Sequence, residues 1–286
     1  MAINYQNLIN WKFADRVDHY TPRDCNIYAL GLGYGSDPMN EVELPYVLER
    51  DTLVVPTFLA IIGAPNAWAA DPATGIDYPK LLHGEHRMRF HNPLPAKGAV
   101  LSKTRVTRVV DKGEGKGALV VTVREISDAE TGKPLGEVEH VSFCRADGGF
   151  GKGDEAPAPL PATPERAPDA VVLLPTLPRQ ALLYRLNGDL NPVHAYPDKA
   201  RAAGFEQPIL HGLCTYGMAA RAILQAFAPS EPQRLTEIAT RFSAPFYPGE
   251  SLRVEMWRDG ERVQFRAVAD ERNKVVLSHG LAAVAA

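Results

Sequence analysis

The chain has 286 residues, of which 45% are hydrophobic and 23% charged, with a formal net charge of −3. That length holds one large domain or two small ones with a substantial core, and the charge gives no reason to expect a nucleic-acid partner. Three scattered cysteines, Cys25, Cys144 and Cys214, exclude a disulfide framework or a cysteine zinc site and read as reduced thiols, hence a cytoplasmic location, while no apolar run approaches a membrane span and no signal-peptide pattern opens the chain.

In chain order, the first half opens on Pro22-Arg23 and Tyr28-Ala29-Leu30, then a glycine-rich run from Gly31 to Pro38. The apolar stretch with Ala60, Ile61, Ile62, Gly63, Ala64 and Ala67 reads as the core face of a helix. Alternation and β-branched content predict antiparallel strands over 100–110 and 118–126. The turn Asp111-Lys112-Gly113-Glu114-Gly115 joins them. Residues 151–169 carry Pro157, Pro159, Pro161, Pro164 and Pro168 among alanines, which builds neither helix nor strand, so this segment is a linker. It divides the chain into 1–150 and 170–286.

The second half repeats the first. Pro178-Arg179 and Tyr184-Arg185-Leu186 keep the spacing of Pro22-Arg23 and Tyr28-Ala29-Leu30, and Arg241-Phe242 through Pro245 matches Arg89-Phe90 through Pro93. Asn187-Gly188 signals a turn, Asn191 is a good N-cap and Pro192 suits a first helical position. Residues 213–227 follow as an apolar, buried helix with Gly212 at its start. Strands are predicted over 251–257 and 262–269, with Asp259-Gly260 as the hairpin turn. Each half thus reads as a curved antiparallel sheet around a central helix.

Chemistry concentrates in the second half. Asp189 and His194 sit where a loop enters a helix, and an aspartate and a histidine sharing one volume make an acid–base pair. The helix N-terminus would keep His194 neutral near pH 7. The plainer reading is a capped helix start with a surface histidine. Gly212 offers a free backbone N–H for a carbonyl oxygen, or else lets a helix pack closely.

These segments resemble the hydratase 2 family, the (3R)-specific enoyl-CoA hydratases of MaoC-like hot-dog fold. The similarity extends to Tyr20-Thr21-Pro22-Arg23-Asp24, Leu82-His83-Gly84-Glu85, Gly148-Gly149-Phe150-Gly151, Ala239-Thr240-Arg241-Phe242 and Tyr247-Pro248-Gly249-Glu250. It is closest to the hydratase unit of peroxisomal multifunctional enzyme type 2. The resemblance implies an α+β double hot-dog, two curved antiparallel sheets joined edge to edge, each around a helix. The second half would be catalytic, and the first a binding half that has lost the dyad. It implies a hydro-lyase acting on trans-2-enoyl-CoA, without metal or redox cofactor, that works on an acyl-CoA thioester as a homodimer. By position, Asp189 and His194 match the catalytic dyad, Asn191 an amide that holds the dyad or the water, and Gly212 the donor to the thioester carbonyl. His83, Gly84 and Phe242 match acyl-CoA contacts. Lys112 matches a basic residue near the CoA, against the plainer reading of a solvated hairpin lysine. The small residues of 60–67 would line an acyl tunnel or simply fill the core. Leu190 stands where eukaryotic members carry tryptophan and would tune packing. The fold also hosts acyl-CoA thioesterases and non-catalytic thioester binders, the alternative function.

Overall fold

The computed structural model describes residues 3–65 and 67–286. The first half supplies helix α1 (Tyr5–Ile9), strand β1 (Arg16–Tyr20), helix α2 (Pro22–Gly31) and strands β2 (Leu81–Phe90), β3 (Gly98–Asp111), β4 (Ala118–Asp128) and β5 (Pro134–Cys144). The second supplies β6 (Ala170–Pro175), α3 (Gln180–Tyr184), α4 (Pro197–Ala202), α5 (Gly212–Phe227), β7 (Leu235–Phe242), β8 (Ser251–Asp259), β9 (Arg262–Ala269) and β10 (Lys274–Val284). Among the described residues these strands form one sheet in the order β1-β3-β4-β5-β2-β7-β10-β9-β8-β6.

That order is a repeat. The first five strands run 1-3-4-5-2 inward to the centre, and the last five mirror them. The halves meet at β2 and β7, where Glu85 lies opposite Arg241 and Arg89 opposite Glu237. Because Arg89 and Arg241 are equivalent in the two copies, this register is symmetric. Tyr28 and Tyr184, equivalent in the same way, bring their rings to 6.0 Å across the junction of α2 and α3. Each half therefore covers an edge that its sister would leave open. This is the double hot-dog arrangement.

The two halves fill their sheets differently. α5 is buried continuously from Cys214 to Leu224. A helix so largely apolar around its circumference belongs in a core, and its one buried charge, Arg221, is paired. The matching helix expected in the first half is not formed. A five-residue 3-10 turn, Pro56–Ala60, takes its place, followed by short 3-10 turns at Trp68–Ala70, Pro72–Thr74 and Tyr78–Lys80. Pro56, Pro72 and Pro79 start such turns but cannot continue a helix, and Gly63 adopts φ 68°. Phe58, Leu59 and Tyr28 fill part of the vacated space. Leu8, Trp11, Phe13 and Trp68 form a second, smaller cluster with Val106, Val109, Ala118 and Val120 of β3 and β4.

One ion pair ties α5 to the first half. Arg221 grips Glu43 through Nε and Nη2 at 2.7 and 2.9 Å, with both side chains 6% exposed. Its Nη1 donates to the Leu32 carbonyl, and its guanidinium lies 5.0 Å from the Tyr34 ring.

Residues 151–169 contain no helix or strand, as the prolines require, but the segment is more than a loose tether. It crosses the outer face of the sheet as a strap. Asp154 accepts from the Val109 N–H, Arg87 donates to the Ala158 carbonyl, Gln264 to that of Ala162, and the Trp257 indole to that of Arg166.

Candidate active site

The loop after α3 turns at Gly188, whose φ of 105° favours glycine. Asp189 follows, exposed, with its Oδ1 accepting from the Asn191 N–H at 3.1 Å. Asn191 then caps a single 3-10 turn, Pro192–His194, by accepting from the Val193 N–H. The expected helix start is thus one turn long. It still places His194 inward, 8% exposed.

His194 Nδ1 lies 2.9 Å from the Ile209 carbonyl. A carbonyl only accepts, so Nδ1 carries the proton and Nε2 keeps the free lone pair. The His194 pKa is lowered, first by burial; the Ile209 bond and the Asp189 charge act in the opposite direction. Burial, rather than a helix N-terminus, keeps this imidazole neutral, because a three-residue turn has almost no dipole.

His211, which sequence reasoning passed over, completes this group. Its ring stacks on His194 with centroids 3.8 Å apart and 27° between planes. Its Nε2 lies 3.1 Å from the Asp189 main-chain carbonyl, to which it donates. Burial first, then the neighbouring His194, brings its pKa down to about 4. His211 therefore holds the backbone of Asp189 and supports the ring of His194. A carboxylate oxygen of Asp189 and one ring nitrogen from each histidine lie within 4.8 Å of one another. Those three atoms have the spacing of a cation site.

His211 also precedes α5. Cys214 and Thr215 donate to its carbonyl. Among the described residues the Gly212 N–H takes no acceptor, as expected at a helix start. A Cβ at Gly212 would lie 3.1 Å from the Phe242 ring, tighter than nearly all real contacts. Phe242 ends β7 and reaches the first half, where its centroid is 4.3 Å from His83. Gly212→Ala should displace this ring and lower kcat/KM on the order of tenfold. Steady-state kinetics would check this, and unchanged kinetics would place Phe242 outside the site.

His83 owes its position to Gly84. The β2–β5 register slips between His83 and Glu85, which leaves Gly84 as a bulge. Residues three apart on a regular strand face opposite ways. The bulge turns His83 to the side of His86, and the two rings are linked by a 3.2 Å contact from His83 Nε2 to His86 Nδ1. A Cβ on Gly84 would press on the Val141 carbonyl at 3.1 Å. His83 also stacks on His140 at 3.8 Å, and His86 meets Tyr216 of α5 edge-on at 4.9 Å.

The structure thus gathers Asp189, His194, Gly212, Phe242, His83 and Gly84 along one seam between the halves, with Asn191 at its surface. Lys112 stands apart. It is exposed, with its ammonium 5.0 Å from the Phe143 ring, and Phe143 faces the opposite side of β5 from His140. Leu190 is 63% exposed and so tunes no internal packing.

Comparison with known proteins follows the same division. The family described as MaoC like domain matches residues 159–279, and that described as MFE-2 hydratase 2 N-terminal domain matches residues 19–146. An enoyl-CoA hydratase of Mycobacterium tuberculosis is 40% identical over 271 residues, covering 93% of each chain. The peroxisomal multifunctional enzyme type 2 of Drosophila melanogaster is 38% identical, over 91% of this chain but only 44% of its own. The crystal structure of a MaoC-like dehydratase from Phytophthora capsici superposes with a TM-score of 0.85 at 32% identity, covering 99% of both chains.

Proposed function

Because this chain belongs to the hydratase 2 family of MaoC-like proteins, we propose that it adds water reversibly to trans-2-enoyl-CoA to give the (3R)-3-hydroxyacyl-CoA. The observation that carries this reading is the cluster of Asp189, His194 and His211, from which the chain leads directly into Gly212, whose N–H takes no acceptor among the described residues.

Hydration needs a hydroxyl at the β-carbon, a proton at the α-carbon and a place for charge on the thioester oxygen. A water held by the Asp189 carboxylate and His194 Nε2 gives up a proton to this pair as its oxygen attacks. The same pair returns a proton to the α-carbon. The Gly212 N–H receives the developing enolate oxygen, a contribution of about 3–4 kcal/mol for such a donor. Asn191 fixes the turn that carries the dyad. His83, Gly84 and Phe242 wall the thioester. Lys112 serves CoA phosphates from the exposed rim, where loss of its charge affects KM rather than kcat.

The pH profile follows from the lowered His194 pKa. A neutral imidazole is required, and burial holds it neutral to below the ordinary value of about 6.5. The acid limb of kcat/KM should therefore be centred below the ordinary imidazole value of about 6.5. An acid limb centred above pH 7 would contradict the assignment. The stereochemistry is tested by coupling the product to a (3S)-specific 3-hydroxyacyl-CoA dehydrogenase. The (3R) alcohol gives no NADH, and strong NADH formation would overturn that part of the reading.

Among the described residues no helix is long and apolar enough to cross a membrane. The three cysteines are free and buried, which suits a reducing compartment such as the cytoplasm. A homodimer remains part of the proposal.

A further inference from the structure

The inner face of the first half carries polar groups that hydration does not use. His86 lies opposite His140, and His140 opposite Thr122. Arg124 is the next inward residue along β4. It is 4% exposed. Its Nη2 donates to the carbonyls of Leu59 and Ala60 at 2.7 and 2.8 Å, while Nε has no partner among the described residues. Among the described residues no carboxylate forms an ion pair with it. Asp18 acts on it only at a distance, and that carboxylate is already taken by Arg16 and the Gly63 N–H.

A guanidinium stays charged in a protein. Burying it with carbonyls alone is costly, and an apolar neighbour would leave that cost in place. Two further polar atoms on the same face, His86 Nε2 and Ser102 Oγ, are buried without partners among the described residues. Burial leaves His83, His86 and His140 neutral, and the Arg124 charge adds to this at His86 and His140. The face is therefore a neutral, hydrogen-bonding wall around one unmatched cation. It adjoins the proposed reaction centre. His83 touches Phe242, which covers Gly212, and His86 touches Tyr216 one turn along α5.

We propose that this face is the subsite for the acyl tail, and that the preferred tail carries a carboxylate or comparable anionic oxygen. Arg124 is its charge partner and His86 Nε2 a second contact. The proposal rests on the hydratase reading for the placement of the thioester. It replaces the expected apolar tunnel, because the wall facing residues 59 and 60 is charged.

The test is binding of saturated thioesters to the full chain by calorimetry. Pairs matched in carbon count are compared: hexanoyl-CoA with adipoyl-CoA, octanoyl-CoA with suberoyl-CoA, and onward to twelve-carbon tails. These ligands cannot be hydrated, and hydration of crotonyl-CoA is assayed separately, so failure of either reading is seen apart from the other. At the length that reaches Arg124, the dicarboxylate should bind roughly 10–100-fold tighter, as for a charged hydrogen bond. Arg124→Met should erase that preference while leaving the apolar thioester within about twofold. A purely structural arginine would weaken both ligands equally. Equal binding of wild-type protein at every length would overturn the proposal without any variant, as would a preference that survives in Arg124→Met.

Discussion

Asp189→Asn and His194→Gln are each expected to lower kcat on the order of 10²–10⁴-fold with little change in melting temperature. Asp189 is exposed, and among the described residues its side chain bonds only the nearby Asn191 N–H. An asparagine oxygen can accept the same bond. His194 is more buried, but glutamine can still donate to the Ile209 carbonyl while losing a titratable nitrogen. The expected pattern is lost turnover in folded protein. A variant that kept kcat within about tenfold of wild type would remove its residue from the acid–base pair. Circular dichroism melts beside single-turnover rates separate this outcome from misfolding.

The largest effect on stability is expected at Glu43 and Arg221. Glu43→Gln or Arg221→Met would leave the other partner buried and unmatched, at a cost of about 3–5 kcal/mol. The pair joins α5 to the first half, so its loss should also loosen the seam on which the site is built. Glu43→Leu combined with Arg221→Met should recover much of the loss, because a well-packed apolar pair avoids the desolvation penalty. Urea titration of the three variants checks this. Single variants within about 1 kcal/mol of wild type would mean that the pair contributes little.

The strands were legible because period-two alternation and turn residues survive in one sequence. The predicted 100–110, 118–126, 251–257 and 262–269 fall within or coincide with β3, β4, β8 and β9. The internal repeat was legible in the same way, since Pro22/Pro178 and Phe90/Phe242 mark equivalent places. The first-half helix was over-read. Apolar residues from Ala60 to Ala67 suit a helix, but Pro56, Gly63 and the following prolines break it into 3-10 turns. In the site, local spacing exposed Asp189, His194 and Gly212, because cap and turn chemistry is local. His211 stood beside Gly212 in plain view, but its role needs the fold, which stacks it on His194 from 17 positions away. The cluster of His83, His86, His140 and Arg124 comes from three strands. Strand parity along β4 would have turned Arg124 inward with Val120 and Ile126. The parity of His83 depends on the bulge at Gly84, which alternation alone does not reveal.

The central claim is that the seam between the halves hydrates an enoyl thioester. Purified full-length chain mixed with crotonyl-CoA, followed at once by the conjugated enoyl absorbance and by a thiol reagent, tests it most directly. The account predicts loss of the enoyl band to an equilibrium level with no release of free CoA. Release of thiol in step with the absorbance change would mean thioester hydrolysis, and an unchanged enoyl band would mean binding without chemistry; either result contradicts the account.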